Sequence, residues 1–217
     1  TNVLYRPTPN TGTSAGSWVR DLGTLQILDM VVANDAIYGS GSRINEPPRV
    51  FLPSRTPGSA PWQFETIELQ SANGWVGELW GLAVNARRVV AVGIDQDDSV
   101  GKILVSTGDR YVASNYIEFS MSALTGDPTT WARGACMRGN RIVVVGERQP
   151  LSSASGRVLI SDDGGVSFSV ITPVGVSGSV SKCVIEPDGT LVVSGAGGFV
   201  GVRQDSDWIF VNEFERD

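Results

Sequence analysis

The residue types behind most enzymatic chemistry are thinly represented in this 217-residue chain. Histidine is absent, which removes Ser-His-Asp triads, histidine-containing zinc sites and imidazole general bases in one step. Cys136 and Cys183 are the two cysteines. They have no imidazole to activate them, and they are too few for a four-cysteine metal site or a disulfide-rich scaffold. Both fall in apolar segments and are expected to be buried free thiols, with a cross-strand disulfide as the alternative. Asp and Glu are plentiful, 23 in all, and a glycoside hydrolase needs only two of them flanking the scissile bond. No spacing singles out such a pair. The loop Asp95-Gln96-Asp97-Asp98-Ser99-Val100-Gly101 gathers oxygen ligands somewhat as calcium loops do, but it lacks the closing bidentate glutamate. Asp95, Asp97 and Asp98 are therefore weak metal candidates that read better as a solvated turn. No metal or cofactor is expected.

Tryptophan is the other chemically informative residue, because exposed indoles stack on sugars and anchor partners. Of the six, Trp18, Trp62 and Trp208 open strand-like segments and suit packing between strands. Trp75, Trp80 and Trp131 flank strands near their starts and could line one rim of a larger assembly as ligand contacts, with plain packing as the competing role.

The whole-chain numbers narrow the partners. A net charge of -6 and a pI near 4.7 oppose binding to a phosphate backbone, which depends on Lys and Arg displacing counterions. A nucleic-acid partner is not expected. The basic residues are Lys102, Lys182 and otherwise arginine. No apolar run approaches the roughly 20 residues of a membrane helix. Thr1 fits either a chain that has lost its initiator methionine or one whose leader has been removed, so the compartment stays open. Composition, with 41% hydrophobic and 18% charged residues, suits a packed globular chain.

The elements that would position these residues recur. An apolar strand ending in glycine appears as Ala36–Gly41, Arg88–Gly93, Arg141–Gly146 and Thr190–Gly195, and Ile37, Val89, Ile142 and Leu191 are separated by 52, 53 and 49 residues. A period of that size marks one supersecondary unit stacked several times. Each such strand follows another short apolar strand (Ile27–Ala33, Leu79–Val84, Ala135–Met137, Cys183–Ile185) and a turn rich in Asn, Asp and Gly, the residues that tolerate positive φ in hairpins. A third strand follows at Val50–Leu52, Ile103–Val105, Val158–Ile160 and Phe199–Val202, and a fourth at Trp62–Leu69, Tyr116–Met121, Phe168–Ile171 and Trp208–Phe214. Val3–Tyr5 and Trp18–Leu22 supply only a third and a fourth. Four antiparallel strands per unit with Gly-rich connections describe a propeller blade. The chain is expected to be an all-β, β-propeller-like single domain over 1–217, with complete blades at about 27–69, 79–121, 132–172 and 181–214 and an N-terminal half blade at about 3–22. The connections 42–49 and 147–156 vary in length where the strands do not, as recognition loops on rigid scaffolds do.

Between third and fourth strands lies Ser161-Asp162-Asp163-Gly164-Gly165-Val166-Ser167-Phe168. It resembles the Asp-box, or BNR repeat, Ser-x-Asp-x-Gly-x-x-aromatic, with Ser161, Asp163, Gly165 and Phe168 at the defined positions. Elsewhere the box has decayed to Ser106-Thr-Gly-Asp109 and to Ser54. Physically the motif is a turn fastener in which a carboxylate accepts backbone N–H groups, glycine takes an unusual dihedral and an aromatic plugs the blade. The resemblance implies a β-propeller, in a family that spans sialidases and other glycoside hydrolases, photosystem assembly factors, sorting receptors and noncatalytic secreted or virion proteins. Sialidase-like members use a tyrosine nucleophile with an arginine cluster and carry a Phe/Tyr-Arg-Ile-Pro motif. Here Tyr5-Arg6-Pro7 shares only part of it. The expected function is a noncatalytic binding or structural module for a protein or glycan partner at a cell or virion surface, a phage tail or capsid component being one version. It could act as a homo-oligomer or in a larger assembly. The alternatives are a sialidase-like hydrolase and a five-bladed sugar-binding lectin.

Overall fold

The computed structural model describes residues 4–5, 19–20, 26–42, 46–57, 59, 64–69, 76–149, 156–171, 178–204 and 207–211; for 4–5, 19–20, 26 and 207–211 it describes backbone alone. Strands β1 (Leu4–Tyr5) and β2 (Val19–Arg20) form a two-stranded sheet. Four sheets of four strands follow, each an antiparallel meander in sequence order. Blade 1 holds β3 (Gln26–Ala33), β4 (Ala36–Ser42), β5 (Arg49–Pro53) and β6 (Phe64–Glu68). Blade 2 holds β7 (Gly77–Val84), β8 (Val89–Asp95), β9 (Val100–Ser106) and β10 (Tyr116–Ser120). Blade 3 holds β11 (Thr130–Arg138), β12 (Arg141–Arg148), β13 (Gly156–Ser161) and β14 (Ser169–Ile171). Blade 4 holds β15 (Val180–Ile185), β16 (Leu191–Gly195), β17 (Val200–Gln204) and β18 (Asp207–Val211). Strand order and repeat agree with the expectation from sequence.

The core lies between blades. In β8, Val89 and Ala91 pack toward blade 1 while Val90 and Val92 pack toward blade 3. In β12, Ile142 and Val144 face blade 2, and Val143 and Val145 face blade 4. A strand with both faces covered has no reason to alternate, which is why the second strands read as unbroken apolar runs. Hairpin turns join first to second strands at Asn34-Asp35, both at positive φ, and through Gly139 and Gly189.

Two details depart from expectation. The fourth strand of blade 2 stops at Ser120, and Met121–Thr125 forms a short helix, α1, capped by the Ser120 side chain and ended by Gly126 in the left-handed region. Met121 stays buried, but in the core between blades 2 and 3 and not on a strand. Cys136 and Cys183 form a disulfide, not free thiols. They lie on β11 and β15, the innermost strands of neighbouring blades, with Cα atoms 5.6 Å apart, a separation that suits the bond. Seen one strand at a time, each is a small apolar residue; the stacking of blades brings them face to face.

Candidate functional site

Near its start, every innermost strand slips register by one residue against its neighbour. The shifts fall between Ile27 and Asp29, Leu79 and Gly81, Ala132 and Gly134, and Val180 and Lys182. Leu28, Trp80, Arg133 and Ser181 are thus the extra residues of four equivalent β-bulges. A bulge bends its strand and re-aims the side chain it carries. Directly before each bulge the paired residue is glycine: Gly41, Gly93, Gly146 or Gly195. A Cβ on Gly93 would lie 1.8 Å from the Glu78 carbonyl oxygen, and one on Gly146 would lie 1.9 Å from that of Trp131. The recurrent strand-ending glycine in the sequence is the imprint of this bulge.

Two of the bulged side chains meet. The Arg133 guanidinium lies 4.3 Å from the ring centroid of Trp80 and 4.9 Å from that of Trp131, and the two indoles are 6.0 Å apart. Arg133 is fixed from beneath by Glu147, which accepts from its Nε at 3.0 Å and from the Gln149 amide at 2.8 Å, and which is only 2% exposed. Trp80 Nε1 donates to Glu78 at 2.7 Å, and Trp131 Nε1 donates to the Ser99 carbonyl at 2.9 Å. With both indole donors engaged, the cluster presents flat π and guanidinium surface. Such a surface binds by stacking and cation–π contact. Trp75 lies outside the described residues, as do the side chains of Trp18, Trp62 and Trp208. Arg133 and Glu147 carried no sequence signal of their own, except that Arg133 stands 53 residues after Trp80 in the repeat.

The acidic loop beside this rim is structural. Asp95 is 3% exposed and pairs with Lys102 at 3.4 Å, and Lys102 reaches Glu118 at 2.7 Å. Burial pushes the Lys102 ammonium down, but its hydrogen bond to Glu118 and the two nearby carboxylates push it further up, so it stays charged. Asp97 and Asp98 face solvent. Among the described residues no three His, Cys, Asp or Glu side chains are grouped to hold a metal ion. The hydroxyls of Tyr111 and Tyr116 are tied down: Tyr111 donates to the Pro53 carbonyl and Tyr116 to that of Arg110.

The Asp-box sits at the other end of the blades. Asp163 Oδ1 accepts from the backbone N–H groups of Val166 and Ser167, both at 3.0 Å, and from the Ser161 hydroxyl at 2.7 Å. The Ser167 hydroxyl donates to Oδ2 at 2.6 Å, and the Gly165 N–H donates to Ser161 Oγ at 2.7 Å. Gly165 has φ +87°, and a Cβ there would meet Val105 at 2.8 Å. Phe168 stacks edge-on against Phe119 of blade 2, with centroids 5.3 Å apart. A polar cleft of about 690 Å³ opens alongside, between blades 3 and 4, with Arg141, Asp162, Asp188, Thr190, Arg203 and Gln204 on its walls.

Sheets of four antiparallel strands, stacked face to face with their first strands innermost, define a β-propeller. No protein-family model matches the chain, and no curated protein matches it in sequence. Solved structures do. YCF48 bound to D1 peptide superposes with a TM-score of 0.56 at 12% identity, over 94% of this chain and 59% of that one. Trypanosoma rangeli sialidase, in its covalent complex with 2,3-difluorosialic acid, gives 0.54 at 12% identity, over 97% and 42%. A mutant of that sialidase displaying trans-sialidase activity gives 0.57, also at 12% identity and over 97% and 42%. All are β-propellers with Asp-box-type repeats. The chain spans less than two thirds of each of them, and the likeness establishes the fold.

Proposed function

We propose that this chain, folded over 1–217 as one domain of the Asp-box propeller family, is a noncatalytic module that binds a protein or glycan partner through the rim carrying Trp80, Arg133 and Trp131. The observation that carries the reading is the pair of β-bulges that brings Trp80 and Arg133 into a stack held on the buried carboxylate of Glu147. A solvent-accessible arginine fixed between aromatic faces is the composition of a binding hot spot. The peptide bound to YCF48 supports a protein partner, and a cell or virion surface, where such modules assemble, is the setting the reading fits. Glycan and peptide arrays probed in parallel with the intact chain and with Trp131→Ala test it. Binding on one array, weakened about tenfold or more by the substitution, is the expected result. Binding indifferent to Trp131, or turnover of fluorogenic glycosides by the purified chain, overturns it.

A further inference from the structure

At the Asp-box end the seam between blades 2 and 3 is plugged, and the seam between blades 3 and 4 is open. In blade 3 seven residues, 162–168, join β13 to β14. They fold back into the seam with blade 2, where Gly165 lies against Val105 and Phe168 packs edge-on against Phe119. Ser161 ends the third strand opposite Ile142, is 1% exposed, and fastens the turn by accepting from the Gly165 N–H. In blade 4 two residues, 205–206, join β17 to β18, too few to carry such a plug. The third-strand position opposite Leu191, the repeat equivalent of Ile142, holds Arg203 in place of serine.

The polar cleft of about 690 Å³ occupies that seam. Leu191 packs in the core between blades 3 and 4, so Arg203 beside it on the same face of the sheet is turned toward blade 3. Its Nε is buried and has no hydrogen-bond partner, and among the described residues its guanidinium makes no ion pair. A buried donor left unpaired costs free energy that an incoming acceptor recovers. The other charged groups on the walls are engaged. Arg141 donates to Asp162 Oδ1 at 2.6 Å, Asp188 accepts from the Thr190 N–H at 2.9 Å, and Asp163 is saturated within its own turn. The planar fork of arginine suits a carboxylate. Asp162, Asp163 and Asp188 oppose a multiply charged anion such as a phosphate ester, whereas Asp162 Oδ2 and the Gln204 amide remain to meet hydroxyl groups.

We propose that the seam between blades 3 and 4 is a binding site for a sugar acid, whose single carboxylate pairs with Arg203 and whose hydroxyls bond to Asp162 and Gln204. Concave sites of about 300–1,000 Å³ hold small ligands in this way, and the open cleft admits either a free acid or one residue of an acidic glycan chain. The site lies at the opposite end of the blades from the Trp80–Trp131 rim and stands or falls separately from it.

Galacturonic acid, its uncharged methyl ester and digalacturonic acid serve as probes, each titrated into the intact chain by calorimetry. The free acid is expected to bind saturably, at least about tenfold more tightly than the ester, and to shift the amide resonances of β14, β16 and β17. Arg203→Met is expected to weaken binding at least about tenfold without lowering the melting temperature of the free chain, because it removes a buried donor that has no partner. Ser169→Phe, an exposed position on the facing wall, should fill the cleft and also lose binding, which guards against an effect peculiar to one variant. Trp131→Ala should leave binding intact. Digalacturonic acid binding more tightly than the monomer would make the ligand a residue of a glycan chain, equal binding would make it a free acid, and either result supports the site. Absence of saturable binding at millimolar concentration, equal binding of acid and ester, or binding indifferent to Arg203→Met overturns the proposal.

Discussion

Asp163 shows how much a single side chain can organise. Hydrogen bonds from the Ser167 hydroxyl and backbone, the Ser161 hydroxyl and the Val166 N–H hold its carboxyl well below the usual carboxylate range. A carboxyl whose pKa is depressed on folding contributes stability that is fully present above its unfolded value, 3.8, and is lost as pH falls through that value toward the folded one. Thermal melts of the wild type should therefore drop between about pH 5 and about pH 2. Asp163→Asn should melt lower at neutral pH and show a shallower fall on acidification. Equal slopes for the two proteins would assign the acid sensitivity to other carboxylates. The rim residues differ in how much of their role the sequence disclosed. Trp80 and Trp131 could be singled out by type alone. Glu147 could not, because burial under an arginine from another strand leaves no local mark.

Among elements, the bulged inner strand explains both what was legible and what was not. Strand order, turns and repeat length could be read because each second strand is apolar on both faces and each turn carries residues suited to its dihedrals. The bulge could not be read from Leu28, Trp80, Arg133 and Ser181, which share no side-chain chemistry. Its trace was displaced onto the partner strand, as the glycine ending each second strand. Gly146→Ala places a methyl group against the Trp131 carbonyl, so the bulge must shift or the strands part. The expected cost is about 1–3 kcal/mol, read as a lower denaturation midpoint together with a change in the near-UV signal of Trp131. The disulfide belongs to the same scale, since it fastens two inner strands that share no ladder. Replacing Cys136 and Cys183 together with serine is expected to cost about 2–4 kcal/mol, and the reduced wild type should melt with the variant. A reduced protein as stable as the oxidised one would mean that packing between blades 3 and 4 already holds these strands.

At the scale of the molecule, the blades are equivalent in strand order but not in environment. Stability in a stack of repeats is a sum of unit and nearest-neighbour terms, so a blade covered on both faces should outlast one covered on a single face. Blades 2 and 3 are covered twice: Val89, Val90, Val92, Ile142, Val143, Val144 and Val145 are wholly buried. Blade 1 leaves Met30 and Val32 exposed, and blade 4 leaves Val184. The Lys182–Asp29 pair joins these two ends, but Lys182 is 62% exposed, and an exposed ion pair adds no more than about 1 kcal/mol. Native-state hydrogen exchange should therefore be graded, with the slowest amides in β8 and β12 and distinctly faster exchange in β3 and β16. The disulfide ties blade 4 to blade 3, so reduction should speed exchange in β16 more than in β3. Uniform protection in the isolated chain would show that the four blades already unfold as a single cooperative unit.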